Sequence, residues 1–592
     1  MLGNRLVIGL DYGTTYTGVS FCETSNTTYI EEQISVIQDW PSAHSAVGTK
    51  EKVPSEVAYL SDGVRWGSNI PPHVQRYLWT KLELDNPKTE EAEKIRQELA
   101  SLSIGGNCSV RHPVTIIADF LAKVKDHLIK NLDNQYGKEL WRTLPITLVI
   151  TVPAVWSDAA KDRTLQAVSK AGFNKTELPQ LRRTVTTTEP EAAAIYTIKS
   201  LKGRVQDEQL EVGDGFVVCD MGGGTVDLIS YRVASIAPTS VEEATIGTGA
   251  QCGGTFVDRG FLKWLESNLG VEEFIKIARC PADDLSRTSL PPKLSKMIQE
   301  FTINAKSGFS GDEEYYLSLP TPWSSIEDED RGLCDGEIHV KASDVKQMFD
   351  FSLRRTRQLL IEQLQQAGKT DNVMIKYIFM VGGFAESPYM HNQICELAQA
   401  FKGNIQVIKP VNAWSAIVRG ATAKGLESDG RATVKFHKCR RHYGTNSNSL
   451  FIKGKHRENE AFICQFTGVK RARDQMNWLV SKGQELSTSV DVHGTLDLSM
   501  KFWAGSRRHA VLPLYACDAN KGPYRLSNVY PVAELSIDLS CVPESEFHAL
   551  SSPSGGFYHC LDFEVQISIH SALEFNLVVN GIKYGSVIAS YA

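Results

Sequence analysis

Residues 8–21 read IGLDYGTTYTGVSF. An apolar strand ends on Asp11, a Tyr-Gly-Thr-Thr turn follows, and a second strand runs back. Gly13 stands two residues after the aspartate, where backbone without a Cβ lets a ligand approach closely. Successive N–H groups at Gly13, Thr14 and Thr15 can form a concave anion site there, with the threonine hydroxyls as further donors. The pattern returns at residues 216–231, FVVCDMGGGTVDLISY. Again a strand ends on an aspartate (Asp220), glycines and Thr225 follow, and the return strand carries Asp227. A single hairpin of this kind more often just turns the chain. Two in one chain point to two related half-domains facing each other across a cleft, each with a phosphate-gripping hairpin.

At 592 residues the chain is too long for one core, so several domains are expected. Its net charge is −6, which argues against a general binder of nucleic acid or anionic membrane. No apolar run approaches the length needed to cross a bilayer. The first strand begins within a few residues of Met1, leaving no room for a leader, and a cytoplasmic location is expected. Twelve cysteines without C-x-x-C pairs read as reduced thiols. His437, Cys439 and His442 lie close in sequence, but no fourth ligand can be placed for zinc. The basic cluster from Lys438 to Arg441 reads as a solvated loop.

Further along, residues 73–100 read as a helix with Lys81 among Leu78, Trp79 and Leu82. Residues 113–136 carry apolar side chains at spacings of three and four, which predicts an amphipathic helix. The β-branched run at 147–152 suits a buried strand, and Ser157 or Asp158 can cap the helix after it. Glu189-Pro190 opens an alanine-rich helix. Gly368-Lys369-Thr370 is rejected as a P-loop because position 363 is glutamine; a helix C-terminus explains it. At 377–394 an apolar strand meets a Gly382-Gly383 turn and then a helix from near Pro388. From about residue 428 the pattern changes. A polar stretch at 428–449 reads as a linker, and period-two alternation follows, as at Leu561, Phe563, Val565, Ile567 and Ile569. Asn580-Gly581 is a hairpin signal.

Taken together, these stretches resemble the heat-shock 70-kilodalton chaperone family, in a divergent branch, over most of residues 5–427. The matching elements come in the family's order: Asp11-x-Gly-Thr-Thr, the ITVPA strand, Glu189-Pro-x-Ala-Ala-Ala, Asp220-x-Gly-Gly-Gly-Thr, Gly253-Gly254 and Val381-Gly-Gly. The resemblance implies an α/β, two-lobed actin-like ATPase domain built from duplicated ribonuclease H-like halves. Lobe I would span 1–205, with a small inserted subdomain at about 40–112. Lobe II would span 206–410, with a return helix at 411–427. A β-rich C-terminal domain would follow at 450–592, without a helical lid.

The resemblance further implies that ATP or ADP binds with Mg²⁺, held through water by Asp11 and Asp220. Gly13, Thr14, Thr15, Tyr16, Gly222, Gly223, Gly224 and Thr225 would cradle the phosphates. Gly253, Gly254, Lys306, Ser310, Gly382, Gly383 and Phe384 would complete the nucleotide site, and Lys81, Glu189, Asp220 and Asp227 would be catalytic. Departures fall on the base side. Phe384 and Glu386 replace an expected serine and arginine, Ile303 a glutamate, Ser307 an arginine, and Trp414 an acid. The expected activity is slow hydrolysis of ATP to ADP and phosphate, coupled to a β-domain that binds extended polypeptide with the help of co-chaperones. The alternatives are a nucleotide-sensing scaffold and a small-molecule kinase of the same fold.

Overall fold

The computed structural model describes residues 4–24, 33–42, 50–71, 73–85, 112–201, 210–236, 238–286, 289–369, 373–401, 404–427, 432–570 and 572–591. The chain divides into two compact units, Met1–Thr433 and Val434–Ala592.

The first unit contains the same sheet plan twice. In the N-terminal half, strand Leu6–Tyr12 pairs antiparallel with Tyr16–Glu23 on one side. On its other side it pairs parallel with Ile146–Val152, which in turn pairs parallel with Leu181–Thr188. In the second half, Gly215–Met221 pairs antiparallel with Val226–Ile236 and parallel with Ile375–Val381, which pairs parallel with Gln406–Ile408. Each half is thus a tight hairpin whose first strand extends into a parallel sheet. Parallel strands are covered on both faces, which explains their unbroken apolar runs; every residue of Ile146–Val152 is buried.

Alternate residues of the first strand serve opposite faces. Leu6, Ile8 and Leu10 join a core with Ile117, Phe120, Leu121 and Val124 of helix Pro113–Tyr136. Val7 turns the other way and packs with Val149 and Ala421 of helix Ala416–Leu426. That second helix lies unusually close to its neighbours. A Cβ at Gly420 would stand 1.8 Å from the Ala192 carbonyl oxygen of helix Glu189–Leu201, and one at Gly425 would stand 2.4 Å from Val7 Cγ1. The small residues therefore let the last helix of this unit clamp the strand and helix that carry Asp11 and Glu189.

Local signals set the helix ends. The helix over 113–136 runs as the spacing predicts; His112 Nδ1 accepts a hydrogen bond from Val114 N–H at its start, and Gly137 at φ +81° follows its end. Ser157 Oγ accepts from Ala160 N–H and caps Asp158–Lys170.

Two expectations need correction. Residues 73–85 contain no α-helix, only the 3₁₀ turn Thr80–Glu83; the rest of the segment read as helix, 86–100, lies outside the described residues. Trp79 adopts φ +58° just before that turn, a left-handed conformation that a continuing α-helix excludes. The stretch read as a linker also holds strands, Val434–Lys438 and His442–Leu450. Its polar residues misled because ladder hydrogen bonds come from the backbone: His442–Leu450 pairs with both Lys470–Val480 and His509–Cys517, whatever its side chains.

The second unit is a β-sandwich by itself. One sheet runs Ala461–Ile463, Lys470–Val480, His442–Leu450, His509–Cys517, Tyr530–Asp538, Ile588–Tyr591. The other runs Gly494–Trp503, Phe557–Ile569, Leu573–Val579, Ile582–Ser586. Leu535 and Ile537 from the first share a core with Leu561, Phe563, Val565 and Ile567 from the second. Asn580 and Gly581 turn the last hairpin at φ +47° and +76°, the pair of positive angles that a two-residue turn of this kind needs.

Candidate functional site

The two hairpins of the first unit meet tip to tip. A Cβ at Gly223 would lie 2.5 Å from Thr15 Oγ1, and one at Gly224 would lie 2.7 Å from Thr14 Oγ1. These glycines are therefore required by the approach of the opposite loop, which no heavier side chain would permit. Gly222 N–H donates to the Thr225 carbonyl and closes the second turn at 2.9 Å.

A cavity of about 480 Å³ opens beside these tips. Asp11, Gly13, Thr14, Thr15 and Tyr16 line it from the first hairpin, and Asp220, Gly222, Gly223, Gly224 and Thr225 from the second. Lys81 and Glu189 reach it from the turn and helix described above, and Gly254, Lys306, Gly382, Gly383 and Phe384 border it from the second half.

Three of the residues singled out in the sequence do not line it. Asp227 is buried directly behind, paired across the ladder with Asp220. Gly253 lies under the second turn, where a Cβ would meet the Gly222 carbonyl oxygen at 2.5 Å. Ser310 faces solvent and donates to the Glu313 carboxylate.

Ion pairs organise the floor. Lys81 Nζ donates to Glu189 Oε1, and its ammonium stands 5.6 Å from the centre of the Trp156 ring. Lys52 Nζ donates to Asp11 Oδ2 at 2.6 Å, while Thr151 Oγ1 donates to Asp11 Oδ1 at 2.9 Å. Both oxygens of Asp11 are thereby engaged. Asp220 differs: it is buried, lines the cavity, and its Oδ1 has no hydrogen-bond partner.

The carboxylates accordingly titrate apart. Burial pushes the Asp11 carboxyl up, but Lys52 and Lys81 outweigh it and hold the group below its ordinary value. Burial, then the nearby Glu189, Asp227 and Asp11, push Asp220 well up. Glu189 is pushed up to about 7, mainly by burial and also by Asp11 and Asp227, against the pull of Lys81. A carboxyl poised near neutrality beside ionised neighbours suits proton transfer.

Across the cavity, Lys306 Nζ pairs with Asp258 Oδ1 at 2.7 Å, and Thr302 Oγ1 donates to the same oxygen at 3.3 Å. Trp414 lines the cavity with its ring edge-on to Tyr16, 5.6 Å between centres. Glu386 is paired with Lys409 at 2.8 Å. Lys52 and Asp258 were not singled out in the sequence. Asp258 had a signal, lying one turn into the helix after Gly253-Gly254. Lys52, inside a polar KEK stretch, had none.

Among the described residues, no group of three or more His, Cys, Asp or Glu is arranged to hold a metal ion directly, and no helix is long and apolar enough to cross a membrane.

Comparison with known proteins adds the ancestry. Heat shock 70 kDa protein 12A of Homo sapiens is 24% identical over 559 residues, covering 81% of this chain and 78% of that protein. Heat shock 70 kDa protein 12B of Homo sapiens is 22% identical over 581 residues, covering 87% and 81%. Chaperone protein DnaK of Metamycoplasma hominis is 24% identical over 432 residues, covering 72% and 61%. The family model described as Hsp70 protein matches residues 7–435, across both halves of the unit that carries the paired hairpins, and the chain belongs to the Hsp70 family.

Proposed function

We propose that this protein binds Mg·ATP between the paired hairpins, hydrolyses it slowly to ADP and phosphate, and uses the nucleotide state to control polypeptide binding by its C-terminal sandwich. The observation that carries this reading is the meeting of the two hairpin tips beside the Lys81–Glu189 pair at a single cavity.

Phosphoryl transfer to water asks a protein mainly for positioning and charge neutralisation. Backbone N–H groups at Gly13, Gly223 and Gly224 hold the β- and γ-phosphates, helped by the hydroxyls of Thr14, Thr15 and Thr225, while Gly222 shapes the turn through its own N–H bond to Thr225. Lys81 neutralises the terminal phosphate. Glu189 takes a proton from the attacking water as the bond from water oxygen to γ-phosphorus forms and the bond to the β-phosphate oxygen breaks. Asp227, behind Asp220, helps orient that water. The orphaned Oδ1 of Asp220 fits a magnesium ion held through its own water, whereas Asp11 already has two partners. When bound, that ion supplies neutralisation of the phosphate chain. Gly253, Gly254, Lys306, Gly382, Gly383 and Phe384 shape the nucleoside side.

In this proposal the sandwich takes its ligand by adding an extended segment to an open sheet edge. Ala461–Ile463 ends one sheet, and Ile463 is exposed there. A cytoplasmic location and assistance by co-chaperones belong to the same proposal.

Calorimetric titration of the full chain with Mg·ATP and with Mg·GTP, followed by single-turnover hydrolysis on the same sample, tests it. Saturable Mg·ATP binding with conversion to ADP is expected. Failure to bind Mg·ATP overturns the proposal. Binding with no turnover overturns the hydrolysis step and favours a nucleotide-sensing scaffold.

A further inference from the structure

The first hairpin carries a buried cation that the phosphate-binding roles above leave unused. Asp11 pairs across the ladder with Gly18, and Thr17 pairs with Val53 on the hairpin's other side. This register sets Lys52, the residue before Val53, beside Gly18. Gly18 has no side chain, and a Cβ there would stand 3.3 Å from Cγ and 3.4 Å from Cε of Lys52. The lysine stem therefore crosses bare backbone and delivers its ammonium to Asp11. Lys52 is only 5% exposed, yet it lines the cavity. Burying an ammonium is costly unless an anion stays beside it. Most KEK-type stretches leave their lysines in water. Here strand register, a glycine and an aspartate together build a place for one.

The charge pattern says what the cation is for. Lys52 and Lys81 are each fixed on a carboxylate at the phosphate end of the cavity, while the Asp220 carboxyl keeps an oxygen without a partner. A polyphosphate entering this end meets Asp11 already neutralised.

We propose that Lys52 is a resident counter-cation of the nucleotide site, bridging Asp11 and the terminal phosphates so that the cleft takes ATP or ADP without a divalent cation. This inference rests on the nucleotide-binding reading above and deepens it. The bland reading is a staple that holds the hairpin to the neighbouring strand, and the two differ in what they do to metal dependence.

The test is the ratio of ATP dissociation constants in EDTA and in Mg²⁺, measured with the full chain. For the natural sequence the ratio is expected to stay below about 10, and for Lys52→Met to exceed about 100, because a close charge pair to phosphate is lost. Should Lys52→Met fail to fold, Asp11→Asn/Lys52→Met removes the pair as a neutral unit, and the same ratio above about 100 is expected. A staple would lower the melting temperature while leaving the ratio unchanged, which overturns the proposal. A ratio above about 100 in the natural sequence overturns it too, and leaves the nucleotide reading standing. Binding in neither buffer overturns both.

Discussion

Glu189→Gln is expected to slow single-turnover ATP hydrolysis by about 10²–10⁴-fold, the usual worth of a positioned general base. The substitution keeps the shape and a hydrogen-bond acceptor for Lys81, so the loss isolates proton transfer from packing. With the Glu189 carboxyl pushed up to about 7, hydrolysis by the natural protein should rise with pH through neutrality and then level off. The Gln variant should show a flat profile. The same shift has a signature in stability. The folded protein holds this proton more tightly than the unfolded chain, whose carboxyl keeps its ordinary 4.5. The contribution to stability is therefore fully present below about pH 4.5 and is lost as pH rises through about 7. Melting curves from about pH 6 to about pH 8 should show the natural protein losing ground against Glu189→Gln. Equal pH-rate profiles for the two would remove Glu189 from the base role.

Gly420→Ala is expected to destabilise the first unit by about 3 kcal/mol, at the upper end for an overpacked core. Two effects oppose each other here. Alanine within a helix gains about 1 kcal/mol over glycine. The added Cβ, however, would fall 1.8 Å from the Ala192 carbonyl oxygen, which is backbone and cannot rotate away. The clash wins, and the helix carrying Glu189 must shift with it. A lower melting temperature and a loss of nucleotide binding should appear together. A melting temperature that rises, as helix propensity alone would give, contradicts the close packing of these two helices.

Much of this architecture is legible in the sequence because the informative features are local. Strands that end on Asp11 and Asp220, and the spacing over 113–136, are properties of short windows. Their duplication carries the further inference that the two loops meet. What escaped depends on contacts distant in sequence. Trp79 looks like a helix residue until its left-handed backbone is seen. Residues 442–449 look like a linker because their pairing partners lie tens of residues away. Lys52 reads as solvated because nothing local reveals that Gly18 makes room for it. Ser310 matches the family's pattern yet turns outward, where Glu313 takes its hydroxyl hydrogen bond. Phe384, Glu386 and Trp414 all line the cavity, and Glu386 is also paired with Lys409.

Backbone hydrogen exchange in the full chain, with and without Mg·ATP, addresses most directly whether the two hairpins grip one ligand. Slowed exchange is predicted in residues 13–16 and 222–225 together, over the same range of nucleotide concentration. Protection confined to one hairpin, or absent from both at saturating nucleotide, would contradict it.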